Sequence, residues 1–277
     1  MRVSVLILTF NEETNLLNCL RSISEFDDII ILDSFSTDST ISIAKSKGIR
    51  VFKRKFDNFA NQRNYALKNF SFKNEWVLHL DADEIVTPEL VQEIKKKIPS
   101  KEYDSFKLPS KTIFLGKWLR YSGMYPTYQV RLGHYKKLKF KQFGHGQIED
   151  MDINRIGMFK EPYIHHAFSK GIDDWFNKHN KYSSDEAKQN LRIIKNNFFL
   201  GIVDYVSFDS TKRRRALKTL SVWLPFRSSF RFFYMFVLKF GFLDGYRGFI
   251  YCRLLTIYEN LIDIKFKINK ANLKKKI

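Results

Sequence analysis

Val3-Ser4-Val5-Leu6-Ile7-Leu8, running into Thr9-Phe10-Asn11-Glu12, decides the fold. The apolar run is that of a parallel strand covered on both faces, and a polar turn follows it. Next comes a helical pattern, with Leu16, Leu17, Leu20 and Ile23 three and four residues apart. Asp28–Leu32 reads as a second strand. Ser36-Thr37-Asp38-Ser39-Thr40 is rich in helix-capping side chains and opens a helix that ends at Gly48. Arg50–Phe56 is a third strand, Asn58–Asn69 a helix, Glu75–Leu80 a fourth strand, and Pro88 suits the first turn of the next helix. This alternation predicts an α/β fold with right-handed crossovers and a mostly parallel, Rossmann-like sheet.

In such sheets ligands sit beyond the carboxyl ends of the strands. Those positions are polar and acidic here: Thr9, Asn11 and Glu12, then Asp33 and Ser34, then Asp81-Ala82-Asp83-Glu84. The first turn has no glycine-rich loop, which excludes a dinucleotide fingerprint and a P-loop. Phosphates must be held by another device. Asp81 and Asp83, two apart on an extended strand end, are expected to project to one side and hold a hard divalent cation, Mn²⁺ or Mg²⁺, that bridges a diphosphate.

Four ordered segments carry a family resemblance: Leu8-Thr9-Phe10-Asn11-Glu12, Leu32-Asp33-Ser34-Phe35-Ser36-Thr37-Asp38-Ser39-Thr40, Gln62-Arg63-Asn64 and Leu80-Asp81-Ala82-Asp83-Glu84. In order and spacing the chain resembles family 2 glycosyltransferases of the GT-A fold. The resemblance implies inverting transfer from a nucleotide-diphosphate sugar. It implies a donor nucleotide site at Thr9, Asn11, Glu12, Asp33, Arg63 and Asp81, with Asp83 on the metal and Asp81 on ribose or metal. Two positions depart from the wider pattern. Phe35 stands where glycine is frequent, and Ser34 where a second Asp is frequent; the latter is common in the lipopolysaccharide-core glucosyltransferase branch.

The middle of the chain is expected to bind the acceptor. Lys107–Leu115 reads as a strand lining the sugar site. Inverting transfer needs a carboxylate to take the acceptor hydroxyl proton. Glu149 of Gly144-His145-Gly146-Gln147-Ile148-Glu149-Asp150 fits that base best, with Asp150 the near alternative. Arg131, His145, Gln147 and His165 are candidates for the acceptor or a phosphate. The histidines have neither the paired spacing nor the neighbouring cysteines of a zinc site. Lys170–Asn197 has the stripe Trp175, Phe176, His179 and Tyr182, expected to pack on the catalytic core.

The 277 residues carry 48 Lys+Arg and 29 Asp+Glu, a net +19. Lys212–Ile277 holds +13 of it, and 14 of the 44 aromatic residues, so the remaining +6 covers the rest. Hence the expected division: a catalytic domain over 1–207 (1–100 for the nucleotide sugar, 101–207 for the acceptor) and a basic, aromatic helical tail over 208–277. Short helices with Trp and Phe on one side and Arg on the other suit a membrane interface. The residues expected there are Arg213, Arg214, Arg215, Trp223, Phe230 and Arg231. Helical spacing favours an anionic membrane surface over nucleic acid as the partner. Only two cysteines argue against a disulfide scaffold. No apolar run reaches the length of a membrane span.

The sequence therefore reads as a peripheral enzyme of the cytoplasmic face of a bacterial inner membrane. It is expected to transfer a sugar, in the first instance from a UDP-sugar donor, to a lipid-linked saccharide of lipopolysaccharide or capsule synthesis. A sugar nucleotidyltransferase would want a glycine-rich, basic first loop, which is lacking. A non-catalytic adaptor would have no need of Asp33, Asp81 and Asp83.

Overall fold

In the computed structural model, residues 1–98, 102–195, 222 and 226–274 are described. The expected boundary at 208 and the membrane candidates Arg213, Arg214, Arg215 and Trp223 lie outside them. The chain forms two compact units: one of Met1–Trp118 and Tyr125–Gly171, the other of Leu119–Met124 and Ile172–Ile277.

The first unit opens as the sequence suggests: β1 (Ser4–Thr9), α1 (Leu16–Ser22), β2 (Asp28–Asp33), α2 (Thr40–Ser46), β3 (Arg50–Lys53), α3 (Phe59–Asn69), β4 (Trp76–Asp81), β5 (Glu84–Val86) and α4 (Pro88–Lys97). Asn58 and Thr87 cap α3 and α4, accepting hydrogen bonds from the amides of Asn61 and Leu90. β6 (Ser105–Phe114), β7 (Lys117–Trp118), β8 (Thr127–His134), β9 (Phe140–Phe143), β10 (Gly146–Glu149), β11 (Ile156–Met158) and β12 (Tyr163–His165) follow. The main sheet runs β3-β2-β1-β4-β8-β6-β12-β5, with β7 and β11 added on β6.

This sheet is mixed, which corrects the expectation of a mostly parallel one. β3, β2, β1 and β4 are parallel. β8 then runs antiparallel to both β4 and β6, and β5 antiparallel to β12. The change comes where the crossover helices stop, since antiparallel neighbours need none. The β1 run explains the layers. Val5 and Ile7 pack with Leu16, Ala44 and Leu90 of α1, α2 and α4, while Leu6 packs with Ala60 and Leu67 of α3. All three β1 side chains are fully buried, each worth about 1.5–3 kcal/mol.

The second unit holds α5 (Gly171–Lys195, from Ile172 onward), α6 (Arg227–Phe233), which runs into a π-helical turn over Tyr234–Leu238, a 3₁₀ turn at Gly241–Asp244, and α7 (Gly245–Lys274). The stripe of α5 meets α7: His179 stacks on Trp175 at 3.8 Å and meets Tyr258 edge-on at 4.7 Å, and Lys265 donates to Asn180 Oδ1 at 2.8 Å.

Arg231, expected at a membrane, is part-exposed and reaches Glu259. It and the buried Arg227 both bind the carboxylate of Glu259, which is 4% exposed. A carboxylate that deep must be compensated, and these arginines do it. Asp244 accepts from the amides of Arg120 at 3.2 Å, Tyr121 at 3.0 Å and Ser122 at 2.7 Å, and from Ser122 Oγ at 2.6 Å. That carboxylate ties the 119–124 segment to the C-terminal helices. Among the described residues no helix is long and apolar enough to cross a membrane.

Candidate active site

The carboxyl ends of β1 and β2 are joined through Asp33. This buried carboxylate accepts from Thr9 Oγ1 at 2.7 Å, from the Ser36 amide at 2.8 Å and from Ser36 Oγ at 2.5 Å. Ser36 Oγ in turn accepts from the Asn11 amide at 2.8 Å, and Asn11 Oδ1 from the Thr37 amide at 2.8 Å. The two loops thus form one rigid rim. Asp33, expected at the nucleoside, is 0% exposed and its carboxylate takes part in building that rim. Phe35 has φ of +65°. This left-handed backbone explains why glycine is the easy residue here and Phe35 the departure. Its ring is left exposed on the rim.

Glu12 is held from three sides. Its amide donates to Thr40 Oγ1 at 2.7 Å, its carboxylate accepts from Asn15 Nδ2 at 2.7 Å, and Lys170 pairs with its other oxygen. Burial pushes this carboxyl up, against Asn15 and Lys170.

Gln62-Arg63-Asn64 on α3 ties three strand ends together. Gln62 Nε2 donates to Ser34 Oγ at 3.1 Å and to the Arg54 carbonyl at 3.2 Å. Arg63, 1% exposed, donates to Asp81 Oδ1 at 2.7 Å. Asn64 donates to the Phe140 carbonyl at 2.7 Å and accepts from its amide at 3.0 Å, as a neighbouring strand would. Arg63 was expected near the nucleoside; its bond in the structure is to Asp81.

Asp81 takes a second arginine. Arg131 Nη2 donates to Asp81 Oδ2 at 2.8 Å and also to Glu84. Arg131, 4% exposed, is therefore not a surface arginine. The charges of Arg131 and Arg63 overcome burial and hold Asp81 well below the ordinary carboxylate range. Glu84 Oε2 accepts from the Asp81 amide at 2.9 Å. Burial pushes the Glu84 carboxyl up to about 7, opposed by Arg131 and assisted by Asp81.

β4 ends at Asp81 and the chain turns before β5. His165 lies with Asp83, its Nε2 3.5 Å from Asp83 Oδ2. β12 brings it there, pairing His165 with Glu84 on one side and Thr112 on the other. Burial pulls the imidazole down, but Asp83 first, then Glu84 and Asp81, raise it to about 9. A histidine in such acidic surroundings marks a place for positive charge.

The donor set can therefore be tested for the expected cation. Both oxygens of Asp81 accept from arginines, so Asp81 would meet a cation only through its remaining lone pairs. Asp83 and His165 do fit: a hard oxygen and an imidazole on one side of a shell that suits Mn²⁺. Among the described residues no three His, Cys, Asp or Glu side chains cluster as a complete metal site. The remaining positions fall to water and to ligand oxygens, as is usual where a cation meets a diphosphate.

The expected base and acceptor residues lie on the β9–β10 hairpin. His145 is in its turn, Gln147 opposes Gln142, and Glu149 opposes Phe140, the residue that Asn64 holds. Glu149 is half-buried. Asp150 is exposed and pairs with Lys141 at 3.1 Å. Sequence reasoning gave no role to Gln62, Asn64, Glu84 or Lys170. The first three lie inside the quoted motifs, which was the available signal; Lys170 carries none.

Residues 4–161, more than half of the chain, match the family described as Glycosyl transferase family 2. The uncharacterized glycosyltransferase RT0209 of Rickettsia typhi is 28% identical over 199 residues, 68% of this chain and 67% of that protein. LpsC, a lipopolysaccharide core biosynthesis glycosyltransferase of Rhizobium meliloti, is 24% identical over 73% of this chain and 76% of its own length. Among solved structures, S. aureus TarS aligns with 90% of this chain at 15% identity and a TM-score of 0.44; the chain spans 54% of that protein. The chain belongs to glycosyl transferase family 2, and it is a glycosyltransferase.

Proposed function

We propose that this enzyme moves a sugar, with inversion, from a nucleotide-diphosphate sugar, in the first instance a UDP-sugar, to a lipid-linked saccharide of bacterial envelope polysaccharide or lipopolysaccharide synthesis. The observation that carries the donor half is the Asp83–His165 pair beside the rim built by Thr9, Asp33 and Ser36. The rim offers the nucleoside a preformed wall. Asp83 and His165 would hold a divalent cation, which when bound offsets negative charge on the leaving diphosphate. Arg63, Arg131 and Glu84 fix Asp81 and with it the turn that presents Asp83.

Glu149 is the base in this reading. It accepts the proton of the acceptor hydroxyl as that oxygen displaces the diphosphate in a single step. Glu149 is preferred over Asp150 because Glu149 is half-buried at the end of β10, whereas Asp150 is exposed. The acceptor half rests on different support: similarity to LpsC, and a basic, aromatic C-terminal segment suited to an anionic membrane at the cytoplasmic face. A screen of nucleotide sugars with Mn²⁺, scored by release of nucleoside diphosphate, tests the donor reading. Release from a UDP-sugar, and not from CDP- or GDP-sugars, is the expected result.

A further inference from the structure

The C-terminal unit exposes bulky apolar side chains where a folded protein in water would hide them. They concentrate at the corner between α6 and α7: Leu238 is 55% exposed, Phe240 54%, Leu243 56% and Tyr246 74%. The patch is contiguous. Phe242 lies 6.0 Å from Phe240 and 6.3 Å from Phe236, which lies 5.7 Å from Phe249. A patch of this kind marks a binding surface.

The charges around it identify the partner. Residues 226–274 carry 9 Lys+Arg and 3 Asp+Glu. The acids are withdrawn: Asp244 onto the amides of Arg120, Tyr121 and Ser122, Glu259 onto Arg227 and Arg231, Asp263 onto Lys267. Lys239 lies over Tyr234 at 5.5 Å and Arg253 over Phe249 at 5.6 Å, so cationic tips accompany the exposed rings. A second copy would bring the same positive charge against itself. An anionic bilayer offers headgroups for the cations and acyl chains for the rings.

We propose that the 238–243 corner, with Tyr246 beside it, inserts into the interface of an anionic membrane, and that this corner, rather than Arg227 and Arg231 on Glu259, is the seat of membrane contact. The inference rests on the membrane part of the function proposed above and gives it a place. The corner is built to be presented. Asp244 anchors one side through three backbone amides, and Gly241 and Gly248 allow the 3₁₀ turn and α7 to meet, since a Cβ on Gly248 would lie 2.2 Å from the Gly241 carbonyl oxygen.

The test uses the full chain with vesicles of phosphatidylcholine, with and without phosphatidylglycerol. Wild type is expected to float with the phosphatidylglycerol vesicles and to release in high salt. Phe240→Ser, Phe242→Ser and Leu243→Ser together should weaken flotation at least about tenfold while thermal melting in the absence of lipid is unchanged. Cys19 and Cys252 are buried, so Leu243→Cys supplies one accessible thiol for an environment-sensitive dye, whose emission should shift blue on the same vesicles. If wild type floats and the triple variant floats equally, the corner is not the contact, although membrane association stands. If wild type does not float, the membrane reading fails and this inference with it. If wild type self-associates without lipid and the triple variant does not, the corner is a protein interface and the proposal is overturned.

Discussion

His165 Nε2 stands 3.5 Å from Asp83 Oδ2, although 82 positions separate the two in sequence. One strand pairing achieves this, with β12 laid against β5 so that His165 faces Glu84, the residue after Asp83. The prediction is that both side chains are needed for cation-dependent donor binding. Asp83→Asn should lower turnover at least about a hundredfold and His165→Ala at least about tenfold. Neither should shift the unfolding midpoint much, because both groups lie at the site edge. Titration of UDP in the presence of Mn²⁺ measures the loss; unchanged affinity in His165→Ala would remove it from the site.

Arg131 is a different case. It joins Asp81 and Glu84 from a buried position, so Arg131→Leu should cost about 3–5 kcal/mol in denaturant unfolding by leaving Glu84 buried without its arginine and Asp81 with Arg63 alone. Glu84→Gln should cost much less, because burial already raises that carboxyl to about 7. Equal losses in both variants would show that the cluster is not held by Arg131.

Glu149→Gln should abolish transfer while UDP binding persists, and Asp150→Asn should retain near-normal turnover, since Asp150 is exposed beside Lys141. The reverse pattern would move the base to Asp150.

Asp104 offers a pH prediction. Arg155 binds it through two nitrogens at 3.0 and 3.1 Å and Lys137 through a third at 2.6 Å. Together they hold its carboxyl down at about 2, from an ordinary 3.8. A lowered folded-state value stabilises above the unfolded value and loses that stabilisation as pH falls through the folded one. Wild type should therefore exceed Asp104→Asn in unfolding free energy by a constant margin above about pH 4, and the margin should shrink between about pH 4 and pH 2. A margin independent of pH over that range would assign the difference to packing.

Gly248 gives a packing prediction. A methyl group there meets the Gly241 carbonyl oxygen at 2.2 Å and Asp244 Cβ at 2.8 Å, so Gly248→Ala should cost about 1–3 kcal/mol. Urea unfolding of the two proteins measures it.

What was legible in the sequence was local. The apolar run at Val5–Ile7 and the capping residues of α3 and α4 specify their elements without help from distant residues, and the strand ends at Thr9, Asp33 and Asp81 follow from them. The mixed character of the sheet was not legible, because antiparallel pairing of β8 depends on partners far along the chain. Nor were the roles inside the motifs. Spacing put Asp81 beside Asp83, but it did not give the two arginines that bind Asp81 from α3 and β8. Arg231 looked like a surface cation because Glu259, 28 residues away, is invisible to periodicity. Charge patterning shows where cations concentrate, and burial decides which of them reach solvent.

The central claim is that a nucleoside diphosphate binds through a cation held by Asp83. Calorimetry of UDP binding to the full chain, with Mn²⁺ and again with a chelator, tests it most directly. Binding with Mn²⁺ that disappears with the chelator, and that Asp83→Asn loses while its fold persists, is the predicted result. Equal affinity in Mn²⁺ and chelator, or full affinity in Asp83→Asn, would contradict it.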